Sequence, residues 1–350
     1  MSAKLQLDNS MGETQYYSRV TQVIRETPRT VSLQIKLSGL SDISYKPGQY
    51  VHLTLEIDGV VYTRYYSIST FSGTEGSIRI TIQKVELGVV SNWLFENAFV
   101  GMYCWVTQPM GEFYLDENHL EHPLALFGAG SGVTPLLPML QNLNKAAFKK
   151  PLHIFLSFST PEDFIFQREF TMLAQQLEKS HLHVNFTQRP ADHDGETCRL
   201  KQQAIQHHCP DISAFKAFIC GSGGYVADMT SHLQSLNLSQ HDILTEHFSL
   251  VHPNEEALAS GIQVQLDAEV LCDNAKGDKT ILELAEEAGA YITSVCRNGL
   301  CGACMVRIEG NTHGGCTEAL DPESIEQGIR LACCTYPLGD CSVFSDTSLS

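Results

Sequence analysis

The stretch Cys296-Arg297-Asn298-Gly299-Leu300-Cys301-Gly302-Ala303-Cys304 places three cysteines at intervals of four and then two intervening residues. A fourth cysteine, Cys333, follows a leucine–alanine pair further along the chain. This spacing is typical of four thiolates that hold a [2Fe–2S] cluster. The glycines and the alanine are small enough for the backbone to approach the sulfurs closely. The stretch therefore predicts an iron–sulfur centre held by Cys296, Cys301, Cys304 and Cys333.

A zinc site or a set of disulfides fits the spacing of these thiols less well. Zinc sites usually show two Cys-x-x-Cys pairs, or one pair with histidines. Disulfides are disfavoured because the first sixteen residues are polar and hold no apolar signal segment, so we expect a reducing compartment, the cytoplasm. Twelve cysteines in such a chain favour metal binding over a set of buried free thiols. Cys334, which directly follows Cys333, stays open as an alternative fourth ligand.

Length and charge limit the classes of protein that remain. A chain of 350 residues is long enough for two or three domains with their own cores. Its net charge of −17 disfavours nucleic acid as a partner, and it has no apolar run of about twenty residues that would span a membrane. Residues 263–350 hold 14 acidic and 5 basic side chains. This excess indicates either simple solubility or an acidic docking face for a redox partner.

The first part of the chain, residues 1–117, has the pattern of a β domain. Short runs with partial alternation are separated by glycine and proline turns, and they lie at 20–26, 30–37, 49–57 and 78–85. Several short strands at this spacing predict a small antiparallel β-barrel.

Residues 118–250 change to alternating strands and helices. We predict strands at 124–127, 152–158, 182–187, 215–220 and 243–244, with helices after 135, over 164–177 and from 226. This alternation predicts a doubly wound parallel α/β sheet. The first strand runs into a glycine-rich turn, 128–135, that would place a dinucleotide pyrophosphate at a helix N-terminus. The turn does not match the usual Gly-x-Gly-x-x-Gly fingerprint well.

Three motifs in the first domain occur in the order found in one flavoprotein family. They are Arg64-Tyr65-Tyr66-Ser67, then Gly88-Val89-Val90-Ser91, then Pro109-Met110-Gly111-Glu112-Phe113. With the glycine-rich turn, they resemble the ferredoxin–NADP reductase family. Residues 262–345 resemble a plant-type ferredoxin domain of α+β (β-grasp) fold. The resemblance implies four segments: an FAD-binding barrel at 1–117, an NAD(P)H-binding domain at 118–250, a linker at 251–261 and a [2Fe–2S] domain at 262–350.

The resemblance implies roles for residues of the barrel. Arg64 would pair with the flavin pyrophosphate, and Tyr66 would pack its ring on the isoalloxazine. Ser67 would lie near flavin N5, where the hydride arrives. Gly88 and Ser91, at the start of a predicted helix, would hold phosphate. The Gly-x-x-Ser element favours FAD, while FMN stays an alternative because some relatives with this domain order use it.

The resemblance also implies roles in the second domain. The dinucleotide would be bound by the glycine-rich turn through Gly128, Gly130, Gly132 and Thr134. Cys220 and Gly221 would lie against the nicotinamide ring, and Phe248 would lie near the flavin. Glu246 would serve electron or proton transfer. Ser67, Cys220 and Glu246 are therefore the candidate catalytic residues.

The segment after the second strand of this domain bears on the choice of nicotinamide cofactor. Residues 157–163 contain no arginine or lysine and end in Glu162 and Asp163, which would repel a 2′-phosphate. This pattern favours NADH over NADPH. Arg168 or Arg189 would reverse the preference if either side chain reached the nucleotide.

The histidines are expected to be structural. The sequence contains fourteen of them, and they show no spacing typical of metal ligands. His52, His153 and His183 fall within predicted strands.

Together these parts predict a route for electrons. NADH would deliver a hydride to FAD, which would pass single electrons to the cluster and on to a partner protein. Stretches at 88–94, 110–113 and 160–166 resemble the reductases that serve hybrid-cluster protein. The alternatives are the reductase component of a multicomponent oxygenase, of phenylacetyl-CoA epoxidase or of a fatty-acid desaturase. Alternatives of another class are a flavin and iron–sulfur redox sensor or carrier, and a terminal flavin enzyme.

Overall fold

A computed structural model describes most of the chain, namely residues 15–39, 43–70, 76–85, 88–188, 199–247, 260–277, 279–294, 299, 302–314 and 320–345. The chain forms two compact units, Met1–Phe248 and Ser249–Ser350. Within the described ranges, no helix is long and apolar enough to cross a membrane.

The first unit begins with a six-stranded antiparallel sheet. Its strands are β1 (Gln15–Thr27), β2 (Thr30–Leu37), β3 (Tyr50–Ile57), β4 (Val60–Ser67), β5 (Ser77–Gln83) and β6 (Tyr103–Thr107), with helix α1 (Val89–Asn97) between the last two. They pair in the order β4-β3-β6-β1-β2-β5. A bridge between Ile68 and Ile80 joins the ends of β4 and β5, so the two edges of the sheet meet. The predicted antiparallel barrel is confirmed.

The rest of the first unit is a five-stranded parallel sheet. Its elements are β7 (Leu124–Ala129), α2 (Leu136–Lys145), β8 (Leu152–Phe158), α3 (Gln167–Gln176), β9 (Ser180–Phe186), α4 (Gln202–His208), β10 (Lys216–Gly221), α5 (Gly223–Ser235) and β11 (Ile243–His247). The strand order is β11-β10-β7-β8-β9. The direction of winding reverses between β7 and β10, which is where open α/β sheets bind their ligands. The predicted doubly wound sheet is confirmed.

The second unit is a mixed sheet with two short helices. Its elements are β12 (Ser260–Leu266), β13 (Glu269–Lys276), α6 (Ile281–Glu287), β14 (Met305–Gly314), α7 (Pro322–Glu326), β15 (Ile329–Leu331) and β16 (Thr335–Phe344). The order is β13-β12-β16-β14-β15, and β12 runs parallel to β16. Helix α6 begins at a capping box, in which Thr280 and Glu283 satisfy each other's backbone N–H groups. This is the predicted α+β ferredoxin fold.

Some element boundaries differ from the sequence prediction for local reasons. Strands β2 and β8 have the predicted bounds, but the five-residue β6 and the helix α4 were not predicted. Helix α3 begins three residues later than predicted because Phe166 has a left-handed backbone with φ of 60°. Strand β12 begins at Ser260, within the range 251–261 that the sequence predicted as a linker.

Histidine side chains stack on one face of the parallel sheet. The Nδ1 atom of His153, in β8, lies 3.2 Å from Nε2 of His183, in β9, and the two rings are within 6° of parallel. The rings of His181 and His208 lie 4.9 Å from His153 and 4.3 Å from His183 between centroids. Burial, the neighbouring histidines His181 and His208, and a weaker opposing effect of Asp211 set the pKa of His153 at about 4. Burial and the same stack also lower the pKa of His183 to about 4.

These lowered pKa values predict that acid destabilises the first unit. Histidines in the unfolded chain have a pKa of about 6.5, so the unfolded chain takes up protons before the folded chain does as the pH falls. The stability that depends on neutral His153 and His183 is therefore present above this pH and is lost towards pH 4. We expect the melting temperature, followed by fluorescence of Trp93 and Trp105 in the barrel, to fall across this window.

A double variant provides the control for this prediction. In the variant His153→Gln/His183→Gln neither glutamine can take up a proton. Its melting temperature should therefore change less between about pH 6.5 and pH 4 than that of the wild type. If the melting temperature falls equally with pH in the wild type and the double variant, His153 and His183 do not cause the acid sensitivity.

Candidate functional site

One carboxylate joins the barrel to the parallel sheet. The Oγ atom of Ser67, at the end of β4, donates to Oε2 of Glu246 at 3.4 Å. The Sγ atom of Cys220, at the end of β10, donates to the same oxygen at 3.8 Å. All three residues are buried. The structure thus brings together the three residues that the sequence named as candidate catalytic residues.

The register of the parallel sheet explains two of these positions. Cys220 of β10 pairs with Glu246 of β11 on one side and with Gly128 of β7 on the other. Side chains that share a register position in neighbouring strands point to the same face. Ser67 reaches Glu246 from the barrel, across 179 positions of sequence. No local pattern in the chain would have revealed that contact.

The electrostatics of this group favour a neutral thiol. Burial, and then the charge and hydrogen bond of Glu246, raise the pKa of Cys220 well above its usual range. Cys220 is therefore a proton-bearing donor to Glu246 rather than a thiolate nucleophile. A buried carboxylate requires such donors because an unpartnered charge in the interior is very costly. The arrangement holds Glu246 in one position at the boundary between barrel and sheet.

The face of β4 next to Ser67 carries aromatic and basic side chains. Residues two apart in a strand lie on the same face, so Tyr62, Arg64 and Tyr66 point together. Arg64 is half-buried, and its Nη1 atom donates to the Thr63 carbonyl at 2.9 Å. Burial raises the pKa of Tyr66, against an opposing effect of Arg64, so the ring stays a neutral phenol.

The start of helix α1 is suited to an anion. Gly88 caps the helix and supplies no side-chain hydrogen bond, so the first-turn N–H groups have no cap from that residue. A Cβ atom at Gly88 would lie 2.4 Å from Oγ of Ser91 and 2.4 Å from Cγ2 of Val85. Glycine is therefore required for the close approach of this turn. The uncapped N-terminus and the guanidinium of Arg64 together fit a dinucleotide flavin.

The glycine-rich turn is held tightly against the end of β10. A Cβ atom at Gly132 would lie 2.3 Å from the Cys220 carbonyl oxygen, so only glycine permits this packing. Gly130 adopts a left-handed φ of 53°, and the neighbouring Ser131 N–H donates to Oε1 of Gln83 in the barrel at 3.1 Å. The Thr134 hydroxyl donates to the Ser131 carbonyl at 2.8 Å, which fixes the end of the turn. The turn begins with a 3₁₀ segment, and helix α2 follows only at Leu136.

A cavity of about 350 Å³ opens where the winding of the sheet reverses. Its volume lies within the range of about 300–1,000 Å³ that small-molecule sites occupy. It is lined by the glycine-rich turn, by the carboxyl end of β8 and by the start of α5, including Gly130, Ser157, Ser222 and Tyr225. A Cβ atom at Gly221 would lie 2.8 Å from the Tyr225 ring, so glycine is also needed beside Cys220. The cavity fits a dinucleotide.

The rim of this cavity carries charges of both signs. Asp163 lines it, as the sequence analysis implied, and Thr160 donates to its Oδ2 atom at 3.2 Å. Arg199 also lines it, with Nη1 3.9 Å from Oδ2 of Asp228. Arg199 is not recognisable as a cavity residue from the sequence because it is far along the chain from the second strand. Arg168 instead lies exposed in α3, outside the cavity lining.

The described part of the cysteine motif packs into the core of the second unit. Cys304 is 2% exposed and Cys333 is 9% exposed. The Sγ atom of Cys304 lies 3.2 Å from Sγ of Cys333, and the Gly299 N–H donates to Cys333 at 3.2 Å. Gly299 and Gly302 both adopt left-handed backbones, with φ of 76° and 73°. Two converging sulfurs with a backbone N–H aimed at one of them fit an iron–sulfur cluster.

The neighbouring Cys334 is also close to this group. Its Sγ atom lies 3.4 Å from that of Cys333. Both the Gly299 N–H and Cys304 are directed at Cys333, which makes Cys333 the better candidate for the fourth ligand. Cys296, Cys301, Phe248 and Arg189 lie outside the described residues. The eight cysteines that are described are all free of disulfides.

Three sequence families match the chain in succession. The oxidoreductase FAD-binding domain matches residues 18–114, and the oxidoreductase NAD-binding domain matches residues 126–231. The 2Fe-2S iron-sulfur cluster binding domain matches residues 264–338. The order of domains is the one inferred from the motifs.

Similar proteins include reductases of two kinds. The glycine betaine monooxygenase reductase subunit of Chromohalobacter salexigens is 29% identical over 320 residues, which are 84% of this chain and 85% of that protein. NADH oxidoreductase HCR of Escherichia coli is 26% identical over 323 residues, which are 92% of this chain and 95% of that protein. The solved structure of phthalate dioxygenase reductase aligns with a TM-score of 0.70 and 16% identity over 96% of this chain and 99% of that chain. That last comparison establishes a common fold.

The barrel, the parallel sheet and the ferredoxin-like unit therefore carry the three expected binding domains. The chain thus has, in order, the domains expected of a ferredoxin–NADP reductase-like flavoprotein with a C-terminal [2Fe–2S] domain, and it is an NAD(P)H oxidoreductase.

Proposed function

We propose that the protein is an NADH-dependent reductase that passes electrons through FAD and a [2Fe–2S] cluster to a partner redox protein. The observation that carries this proposal is the contact of Ser67 and Cys220 with one carboxylate oxygen of Glu246. It brings the flavin-binding face of the barrel and the nucleotide-binding end of the sheet to the same point. When bound, the flavin accepts a hydride as an electron pair, and the cluster accepts electrons singly.

The flavin would be held by the exposed face of β4 and the start of α1. Arg64 supplies a guanidinium for pyrophosphate, and Tyr66 supplies a neutral ring for the isoalloxazine. Gly88 and Ser91 shape the uncapped helix N-terminus, which presents N–H groups to phosphate. Two phosphate-binding elements support FAD over FMN. Ser67, whose single hydroxyl hydrogen is directed at Glu246, would lie at the reacting edge of the flavin.

The nicotinamide would enter from the cavity towards Cys220. The neutral thiol of Cys220 and the lack of a side chain at Gly221 leave an uncharged surface for the ring. Gly128, Gly130, Gly132 and Thr134 shape the turn that would face the pyrophosphate. Phe248, which lies outside the described residues, would lie near the flavin by the family resemblance alone. Glu246 would position Ser67 and Cys220, and it excludes water from between them because all three are buried.

We expect Asp163 to favour NADH over NADPH. Its carboxylate lines the cavity rim and would repel a 2′-phosphate, whereas Arg199 on the same rim would attract one. Replacing Asp163 by serine removes one like charge, which should raise kcat/KM for NADPH relative to NADH by about tenfold. Steady-state kinetics with a dye acceptor measure this ratio.

Glu162→Gln is the matched control for that change. Glu162 is exposed and does not line the cavity, so its variant should keep the wild-type cofactor ratio. The preference for NADH is refuted if the wild type uses NADPH better, and the role of Asp163 is refuted if both variants behave alike.

The cluster ligands would be Cys296, Cys301, Cys304 and Cys333. We expect Cys333→Ser to lose the visible absorbance and the low-temperature EPR signal of the reduced cluster, because Cys304 and the Gly299 N–H converge on Cys333. Cys334→Ser, the matched control, should keep both signals and its iron. The opposite pattern would make Cys334 the fourth ligand.

The proposal also names a class of protein that accepts the electrons. The stretches at 88–94, 110–113 and 160–166 support hybrid-cluster protein, and the similarity to a protein named NADH oxidoreductase HCR agrees with this. The similarity to a glycine betaine monooxygenase reductase subunit supports an oxygenase component as the second candidate. That the described cysteines form no disulfides is consistent with the cytoplasm.

Anaerobic electron transfer tests the whole route. NADH should reduce a dye, and hybrid-cluster protein should be reduced at a similar rate if it is the partner. Glu246→Gln should slow flavin reduction about tenfold, since a buried hydrogen-bond arrangement worth about 1–1.5 kcal/mol is disturbed. Asp242→Asn, in the same segment but bound to Lys216, should leave flavin reduction unchanged.

The possible outcomes separate the parts of the proposal. Fast reduction of the dye with no reduction of hybrid-cluster protein would keep the reductase and move the partner to an oxygenase component. Failure of NADH to reduce the bound flavin at all would overturn the reductase in favour of a sensor or carrier.

A further inference from the structure

Five histidines form a cluster at the amino ends of two parallel strands. The cluster consists of His153 in β8, His181 and His183 in β9, and His207 and His208 at the end of α4. The cavity for the nucleotide lies at the other end of β8, beside Ser157. Ser157 lies four positions beyond His153 in the strand, which is about 13 Å at a rise of about 3.3 Å per residue. The histidine cluster is therefore separate from the site already described.

Two nitrogens of the cluster already have the spacing of metal ligands. His153 Nδ1 and His183 Nε2 lie 3.2 Å apart. Two imidazole nitrogens on one zinc ion, each at about 2.0–2.1 Å and at a near-tetrahedral angle, lie about 3.3 Å apart. In the hydrogen bond between them one nitrogen carries the proton and the other a lone pair, so a tautomer shift of the donor ring frees both lone pairs for a metal. His153 is buried and His183 is half-buried.

Further donors surround this pair on its open side. His208 lies 4.3 Å from His183 between ring centroids, and His181 lies 4.9 Å from His153. Both side chains are exposed, so they can change rotamer without repacking the core. Within the described residues, no three such donors already meet at one point. Rotation of His208 or His181 would supply the third ligand, and His207 lies beside His208 at 5.1 Å.

The surroundings favour nitrogen donors over sulfur. The pair His153 and His183 stays neutral at physiological pH, since both pKa values are lowered to about 4. Burial raises the pKa of the nearby Cys209 to about 12, and its thiol donates to Asp211 at 3.8 Å. A protonated thiol is a poor ligand, whereas neutral imidazole binds zinc, copper and nickel well.

We propose that the histidine cluster binds one divalent transition-metal ion of the zinc type, through His153, His183 and either His208 or His181. The ion would connect β8, the edge strand β9 and the end of α4. Those three elements are far apart in sequence, so the ion would stabilise the first unit against unfolding. Its position away from the nucleotide cavity means that turnover with NADH and dye should not depend on it.

The test uses the holoprotein, with its flavin and cluster, dialysed against Zn²⁺ and then freed of unbound metal. We expect mass spectrometry of the metal content to find one zinc per chain in addition to the cluster iron. The variant His153→Gln/His183→Gln should lose this zinc, and the control His122→Gln/His241→Gln, which changes exposed histidines elsewhere, should keep it. Zinc should also raise the melting temperature of the wild type but not of the first variant.

Two results would overturn the proposal. One is a wild type that retains no zinc, and the other is a His153→Gln/His183→Gln variant that retains as much as the wild type, which would place the zinc on thiols. If that variant does not fold, a variant of the two exposed histidines, His181 and His208, provides the test instead. His181→Gln/His208→Gln should raise the zinc dissociation constant about tenfold or more, and an unchanged constant would refute the site.

Discussion

The buried carboxylate of Glu246 joins the two sheets of the first unit. A charge in the interior needs donors, and this one receives them from two separate sheets. The donor from β10, Cys220, is fixed by strand register, and the donor from β4, Ser67, is fixed by the packing of the barrel against the parallel sheet. Glu246 therefore links the end of β4 to the carboxyl ends of β10 and β11. The residues proposed to face flavin and nicotinamide lie at this link.

Glycines make this approach possible. Gly132 lets the glycine-rich turn lie against the Cys220 carbonyl, where a Cβ atom would come within 2.3 Å. Gln83 of the barrel accepts a hydrogen bond from the N–H of Ser131, the residue before Gly132 in the same turn. The turn thus has a packing role in addition to the nucleotide-binding role that its composition suggests. A substitution at Gly132 would disturb the Glu246 contacts as well as the cavity.

The sulfur chemistry differs between the two units for physical reasons. Cys220 lies beside a carboxylate in an apolar interior, and both effects keep its proton. The pKa of Cys333 is also raised, because the lowering effect of Cys304 is outweighed by Cys334 and burial, but its neighbours are thiols and a backbone N–H, the group of donors that can hold a cluster. The same residue type is therefore a neutral thiol beside the proposed nicotinamide site in one unit and a candidate cluster ligand in the other.

The sequence by itself determined the classes of domain and the local motifs, because cysteine spacing, strand periods and ligand loops are encoded within short segments. The left-handed Phe166, which delays the start of α3, has no such signal. Only the tertiary structure decided which distant side chains meet. Ser67 and Glu246 are 179 positions apart, and Arg199 reaches the nucleotide cavity from a segment that follows the sheet's edge strand. Such contacts depend on how whole sheets and helices pack, and packing is set by many buried side chains together rather than by any single segment.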